Sequence, residues 1–168
     1  MKFSERNKIV NVYPAIDATG ATVATDIVSM KNYDHATFII SFGTCGTTAA
    51  TTTNLIAYKG EDVTTCNTAF ACWYRAELDA TADTLGALTA LATTGVSLGS
   101  GNTEDIDVGG GFLVVEIDAA DLAPTAANPY DTVRLGMVWA GQATQMSIIC
   151  ILSKPRYADA AGPTAIVD

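Results

Sequence analysis

The stretch that decides the fold is SMKNYDHATFIISFG, residues 29–43. From Ala36 to Phe42 every second residue is apolar, and two of the three residues between them, Thr37 and Ser41, are polar. A period of two places these apolar side chains on one face of a β-strand, so the pattern predicts a half-buried strand over residues 35–42. The polar residues 31–34 before it are typical of a loop, and we interpret KNYDH as a shaped loop that leads into the strand.

Outward from this stretch, short apolar runs separated by turn residues continue in both directions. The run at residues 70–78 is the most informative, because Phe70, Cys72, Tyr74 and Ala76 share one face and Trp73, Arg75 and Glu77 share the other. We expect roughly eight to ten short strands. The main candidates are residues 9–13, 25–30, 35–42, 54–59, 70–78, 112–117, 132–140 and 144–152, with residues 84–92 a weaker strand that a short helix could replace.

Two local signals concern how these strands are joined. A short GQ turn separates residues 132–140 from residues 144–152, and this spacing predicts a β-hairpin. Residues 118–124, DAADLAP, indicate a turn or one helical turn closed by a proline. The fold class predicted is all-β, an antiparallel β-sandwich or jelly-roll-like barrel with short N- and C-terminal extensions. The boundaries predicted are an N-terminal arm at 1–24, a β-sandwich domain at 25–157 and a C-terminal tail at 158–168.

The composition of the chain narrows the class of partner. Charged residues make up 16% of the 168 residues and the formal net charge is −9. Binding to nucleic acid or to an anionic membrane requires clustered Lys and Arg, so neither partner is expected. No apolar run is long enough for a membrane helix or a secretion signal, and we expect the chain to be made in a cytosol. Because so few residues are charged, much of the surface must consist of neutral side chains, and such a surface suits packed contacts with other proteins.

The four cysteines, Cys45, Cys66, Cys72 and Cys150, contain no CxxC pair. With one histidine in the chain, a zinc site is poorly supplied with ligands, and no metal or cofactor is expected. We interpret the cysteines as buried free thiols that behave as small apolar residues. A bridge between Cys66 and Cys72 across a loop is the alternative.

The sequence contains no convincing set of catalytic residues. The pair Asp34–His35 is the first suspect, but adjacent strand residues point to opposite faces, and no nucleophile motif accompanies it. We therefore expect a turn or capping role for His35 and no catalytic residue. Acidic groups such as Glu116, Asp118 and Asp121 are unremarkable in a chain with 18 acids. Residues 102–111, NTEDIDVGGG, do not match a calcium-loop spacing. Trp73 and Trp139 suit stacking on sugars, although such residues are more often core or interface residues.

Five segments taken in order resemble a family of small tailed-bacteriophage virion proteins. They are VSMKNYDHATFIISFG, YRAELD, VVEIDAADL, YDTVRLGM and ILSKPRY, and the likeness spans about residues 26–157. Small β-rich proteins of this kind resemble capsid decoration, or cement, proteins. The resemblance implies a β-sandwich or β-barrel on the outer surface of the head. It also implies a homo-oligomer, a trimer or sometimes a dimer, that binds the major capsid protein and sister copies.

Two other classes remain open beside a decoration protein. A head-fibre or receptor- or glycan-binding module predicts exposed aromatic residues, and a small hydrolase predicts a deep polar pocket around His35. For attachment, the basic side chains Lys2, Arg6 and Lys8 stand out against an acidic chain. We expect them to lie on a flexible arm that contacts an adjacent capsid subunit or a sister copy.

Overall fold

Two antiparallel sheets form the protein. The computed structural model describes residues 2–18, 22–45, 53–62, 64–77, 84–98, 110–138 and 144–156. The elements are α1 (Phe3–Arg6), β1 (Lys8–Asp17), β2 (Thr22–Ala24), β3 (Val28–Ser29), β4 (Tyr33–Cys45), β5 (Thr53–Gly60), β6 (Thr68–Ala69), β7 (Cys72–Glu77), β8 (Thr89–Leu91), β9 (Val96–Leu98), β10 (Gly111–Asp118), a 3₁₀ helix (Ala119–Leu122), β11 (Thr132–Val138) and β12 (Thr144–Pro155). Sheet A has the strand order β1-β12-β4-β10-β7-β8 and sheet B the order β2-β11-β5-β6, with β3 also paired to β11 and β9 to β5.

The decisive stretch forms β4, which lies in the middle of sheet A between β12 and β10. Ile40 pairs with Leu113 on one side and Ile148 on the other, and all three are fully buried. Alternation along three adjacent strands therefore produces one continuous apolar face. The predicted strand is confirmed, but it begins two residues earlier, at Tyr33, so only Lys31 and Asn32 of the predicted loop form a turn.

The core fills the space between the two sheets. The inward residues of β4, β10 and β12 pack in one cluster with those of β5 and β11, such as Leu55 and Leu135. Two sheets that each hide one apolar face against the other form a β-sandwich, which confirms the predicted fold class. The alternation predicted for residues 70–78 is also confirmed: Cys72 and Tyr74 are buried and Trp73 is exposed. Residues 119–122 form the predicted helical turn.

The predicted hairpin is wrong. Strand β11 pairs with β2, β3 and β5 in sheet B, whereas β12 pairs with β1 and β4 in sheet A. The chain thus crosses from one sheet to the other between them. Two strands joined by a short connection can pair with each other or face each other across the core, and their alternation is the same in both cases.

The predicted arm, residues 1–24, contains strands of both sheets. Lys8–Asp17 forms β1 at the edge of sheet A and Thr22–Ala24 forms β2 in sheet B, so the sandwich begins before residue 25. The pairing of β1 with β12 shifts register twice, on either side of Tyr13. These bulges break the alternation that would have extended the predicted strand at residues 9–13. Pro14 cannot donate a backbone hydrogen bond and is tolerated because β1 is an edge strand.

A tight turn at Gly95 carries the chain from β8 in sheet A to β9 in sheet B. The Gly95 amide donates to the carbonyl of Ala92 at 2.9 Å, and its φ is +82°. A Cβ at this position would lie 2.5 Å from the Leu55 carbonyl oxygen. Both the backbone angle and the close approach to β5 therefore require glycine here.

Candidate functional site

The outer face of sheet A, which points away from the core, carries the polar and aromatic groups of interest. Strand pairing places Thr37 beside Glu116, and Glu116 beside Trp73 on the far side of β10. One row further along, His35 on β4 lies opposite Asp118 on β10. The register of three strands thus gathers residues that are up to 83 positions apart in the sequence.

His35 is held between two carboxylates of β10. Its Nε2 lies 2.7 Å from an Oε2 oxygen of Glu116, and its Nδ1 lies 2.7 Å from Oδ1 of Asp118. A carboxylate accepts hydrogen bonds, so both ring nitrogens donate only when the imidazole is protonated. Thr37 Oγ1 donates to the same Glu116 oxygen at 3.0 Å, and Lys154 Nζ lies 3.9 Å from Asp118.

The two carboxylates raise the pKa of His35 above its usual value. The hydrogen bond to Glu116 is the main cause, partial burial opposes it, and the bond to Asp118 adds to it. The pKa of Glu116 is lowered in return, chiefly by the hydrogen bond from His35. Each group therefore favours the charged form of the other.

The arrangement is poorly suited to hydrolysis. A histidine that activates a nucleophile needs one ring nitrogen facing that nucleophile, and both nitrogens of His35 face carboxylates. A glycosidase needs one carboxylic acid with a raised pKa, whereas the pKa of Glu116 is lowered. The predicted turn or capping role for His35 is also wrong, because His35 lies within β4 and bonds across to β10.

Beside this cluster is a concavity of about 370 Å³. It is lined by Trp73 and Arg75 of β7 and by Leu88, from the segment before β8. The Arg75 guanidinium donates to the Gly86 carbonyl at 3.0 Å, which fastens this segment to the sheet. The remaining lining residues are His35, Glu116 and Asp118.

Several of these residues can be picked out in the sequence one by one, but the sequence does not show that they lie close together. Glu116 and Asp118 belonged to one of several acidic groups, and Trp73 was assigned correctly to the polar face of its strand. The register between β4 and β10 is the signal that joins them, and nothing local in the sequence specifies it.

The three predicted contact residues lie at the edge of sheet A, two strands from β4. Lys2 and Arg6 are exposed beside and in the helix α1, whereas Lys8 is half-buried and begins β1, opposite Leu152. Lys8 therefore lies on the sheet and not on an arm. The Lys2 backbone amide donates to the Glu5 carboxylate at 2.7 Å, which orders the first turn of α1.

Large apolar side chains are exposed in the same N-terminal segment. Phe3, Ile9 and Ile16 are exposed by 59%, 52% and 46% respectively. Sequence reasoning noted the charges of this segment but not its apolar surface. We refer to residues 2–17, with α1 and β1, as the N-terminal edge.

Three of the cysteines are buried free thiols, as predicted: Cys66, Cys72 and Cys150. Burial raises the pKa of Cys66 to about 11 and that of Cys72 to about 12. Burial also raises the pKa of Cys150. Thiols of this kind are poor nucleophiles and poor metal ligands at neutral pH.

Within the described ranges, no three His, Cys, Asp or Glu side chains are grouped so as to hold a metal ion. In the same part of the chain, no helix is long and apolar enough to cross a membrane. Of the stretch considered for calcium, residues 102–111, positions 102–109 lie outside the described residues, as does Trp139.

Comparisons with known proteins give only distant matches. No protein-family model and no curated protein matches the chain. Among solved structures, the SPBc2 prophage-derived protein YomS is 11% identical, with 88% of this chain and 93% of that chain covered and a TM-score of 0.41. Desmodium yellow mottle tymovirus is 12% identical, covers 91% of both chains and has a TM-score of 0.23. Infectious bursal disease virus, Gt strain, is 13% identical over 91% of this chain and 42% of that chain, with a TM-score of 0.26. We assign no function from these similarities.

Proposed function

We propose that this chain is a structural protein of a tailed-phage virion, and more narrowly a decoration protein on the outer surface of the head. Its partners are the major capsid protein and sister copies, in a trimer or a dimer. The five sequence segments that resemble such proteins support this assignment, and they include strands from both sheets. A head-fibre module is the alternative within the virion.

The observation that carries the proposal is the N-terminal edge. It combines exposed Phe3, Ile9 and Ile16 with exposed Lys2 and Arg6 on a chain that is otherwise acidic. Apolar side chains in contact with water along one edge are typical of a surface that a protein partner covers. The basic groups favour a partner surface that is acidic.

The edge position of β1 adds a second mode of contact. In the part of the chain that the structure describes, β1 pairs as a strand only with β12 and forms the edge of sheet A, where its Val12 carbonyl already accepts a hydrogen bond from the Asp26 amide. An extended segment of a capsid subunit or a sister copy can add to such an edge as a further strand. The bulges and Pro14 interrupt the C-terminal half of β1, so the first half, from Lys8 to Asn11, is the better docking edge.

Repetition over a lattice makes weak contacts sufficient. A charged share of 16% means that few charges have to be desolvated when the surface is covered. Several copies linked in an oligomer bind neighbouring capsid subunits at a high effective concentration, so the affinity of each single contact can be modest.

The test is to locate the protein on the particle. Virions that carry an affinity tag on this chain are labelled and imaged by cryo-electron microscopy, and heads lacking the chain are mixed with the purified protein. Regular density on the head shell, restored by adding the protein, is the expected result. Label confined to the tail or to a single fibre contradicts the decoration role, and absence from purified particles contradicts any virion role.

A further inference from the structure

The concavity beside Trp73 has no part in the proposed docking of the N-terminal edge, which lies across the sheet. Its six lining residues are His35, Trp73, Arg75, Leu88, Glu116 and Asp118. Its volume of about 370 Å³ lies within the usual range of small-molecule sites, about 300–1,000 Å³. From this combination we propose that it binds a neutral saccharide ring, with one sugar face stacked on Trp73.

Trp73 provides the stacking surface. It is 45% exposed although it lies within β7, an inner strand of sheet A, where pairing with Glu116 and Ala90 fixes its backbone. An exposed tryptophan on a rigid strand offers a large apolar face that loses little conformational entropy on binding. Leu88, also 45% exposed, lines the same concavity and adds a second apolar side chain. The site thus offers apolar surface of the kind that the C–H face of a pyranose requires.

The rim provides hydrogen bonds of both kinds. Glu116 and Asp118 are acceptors, and the Arg75 guanidinium is a donor, so hydroxyl groups that both donate and accept can be satisfied. These groups are already held in place. Glu116 receives bonds from His35 and Thr37, and Arg75 donates to the Gly86 carbonyl, so little ordering is needed on binding.

The charge of the lining selects the class of sugar. Both ring nitrogens of His35 lie 2.7 Å from carboxylate oxygens, an arrangement that requires a protonated imidazole, so among the six lining residues two cationic groups face two carboxylates and the charges balance. The groups that face His35 are Glu116 and Asp118 on β10, and Lys154 on β12 reaches Asp118 at 3.9 Å. An anionic or cationic ligand would have to be desolvated without a compensating net charge. A neutral polyhydroxylated ring meets no such cost.

The inference is independent of where the protein sits on a particle. A site for neutral sugars on the outer face of sheet A suits attachment to glycans of a host surface, and it fits a head decoration protein or a fibre module equally well. Binding by the isolated chain therefore tests the site alone.

The experiment follows the indole N–H resonances of Trp73 and Trp139 by two-dimensional NMR, assigned with a Trp73→Phe variant. The probes are neutral methyl pyranosides of glucose, galactose, mannose and N-acetylglucosamine. Each is titrated to about 20 mM, a concentration high enough to detect binding with a Kd weaker than about 1 mM. We expect a saturable shift of the Trp73 resonance with at least one of them. Glucuronate and glucosamine should produce a smaller shift at the same concentration.

Two variants separate stacking from other effects. Trp73→Ala should weaken binding at least about tenfold, the size expected for loss of an aromatic contact. Phe112→Ala is the matched control. Phe112 of β10 is as exposed as Trp73 and lies on the same outer face of sheet A, but it does not line the concavity. Binding to the control is read from the same Trp73 resonance and should be unchanged.

Two results overturn the proposal. The first is a Trp73 resonance that no neutral pyranoside moves while the spectrum shows a folded protein. The second is an affinity that Trp73→Ala leaves intact, measured by calorimetry. A Trp73 resonance that responds to phage heads and to none of the sugars makes this surface a protein contact instead.

Discussion

His35 and Asp118 lie directly opposite each other on neighbouring strands, and the His35 imidazole Nδ1 is 2.7 Å from the Asp118 carboxylate. The same ring bonds Glu116 diagonally along β10, so one histidine ties two acids of a single strand to β4. Cross-strand pairs of opposite charge stabilise a sheet, and here the pair also holds the rim of the concavity beside Trp73 in place.

The first prediction concerns the pH dependence of the charged cluster of His35, Glu116 and Asp118, which we call the clamp. Because the pKa of His35 is raised, its contribution to stability is complete below its ordinary value of 6.5 and is lost as the pH rises through the raised value. Because the pKa of Glu116 is lowered, its contribution is complete above its ordinary value of 4.5 and is lost as the pH falls through the lowered value. The clamp is therefore strongest between pH 4.5 and 6.5.

His35→Gln should lower the free energy of unfolding by about 1 kcal/mol within that window, because the charged hydrogen bonds are partly exposed to water. The loss should shrink well above the window. Urea unfolding at several pH values measures it. Lys154→Gln is the control: the Lys154 side chain is 68% exposed, so this change should alter stability by less than about 0.5 kcal/mol. A loss for His35→Gln that is the same at every pH would contradict the ionic clamp.

The second prediction concerns the core. Ile40 is fully buried between β10 and β12, so Ile40→Ala should cost about 2–5 kcal/mol through lost burial and the cavity left behind. Ile9→Ala removes the same atoms from a half-exposed site on the edge and should cost far less, about 0.5 kcal/mol. Chemical denaturation of both variants gives the comparison, and equal losses would place Ile40 outside the core.

The third prediction concerns the thiols. With pKa values of about 11 and 12, Cys66 and Cys72 hold very little thiolate at neutral pH and should resist alkylation in the folded protein. Cys150 is fully buried and should resist it as well. Peptide mapping after iodoacetamide treatment, with and without denaturant, measures this. A crosslinked Cys66–Cys72 peptide from assembled particles under non-reducing conditions would show that the alternative of a bridge is correct.

The fourth prediction concerns attachment through Lys2, Arg6 and Lys8. Lys2→Glu reverses one exposed charge on the N-terminal edge without altering β1, and should weaken binding to heads that lack the chain, more so at low salt. The effect for each contact is about 0–1 kcal/mol, amplified by repetition over the shell. Lys31→Glu makes the same charge change in the turn before β4 and serves as the control. Competition against wild-type protein is the measurement.

Removal of residues 1–7 is a stronger test of attachment, because it deletes Lys2 and Arg6 together. It leaves Lys8 and the whole of β1 in place. If this shortened chain competes as well as the full chain at low and at moderate salt, the charges before β1 take no part in attachment.

The sequence alone determined the class of the fold and the residues of its core. Alternation of apolar residues, as in residues 36–42, is a local property, since each side chain's face follows from its position along the strand. The faces of Cys72, Trp73 and Tyr74 could be assigned for the same reason, and the burial of Cys66, Cys72 and Cys150 was also predicted.

Only the tertiary structure decided which strands pair and in which register. The alternation of β11 and β12 is the same whether they form a hairpin or lie in different sheets, and the bulges of β1 hid how far the strand predicted at residues 9–13 extends. The cluster of His35, Glu116 and Asp118 depends on the pairing of segments about 80 residues apart. Such pairing is chosen by the burial of both sheets at once, a property of the whole chain that no single segment carries.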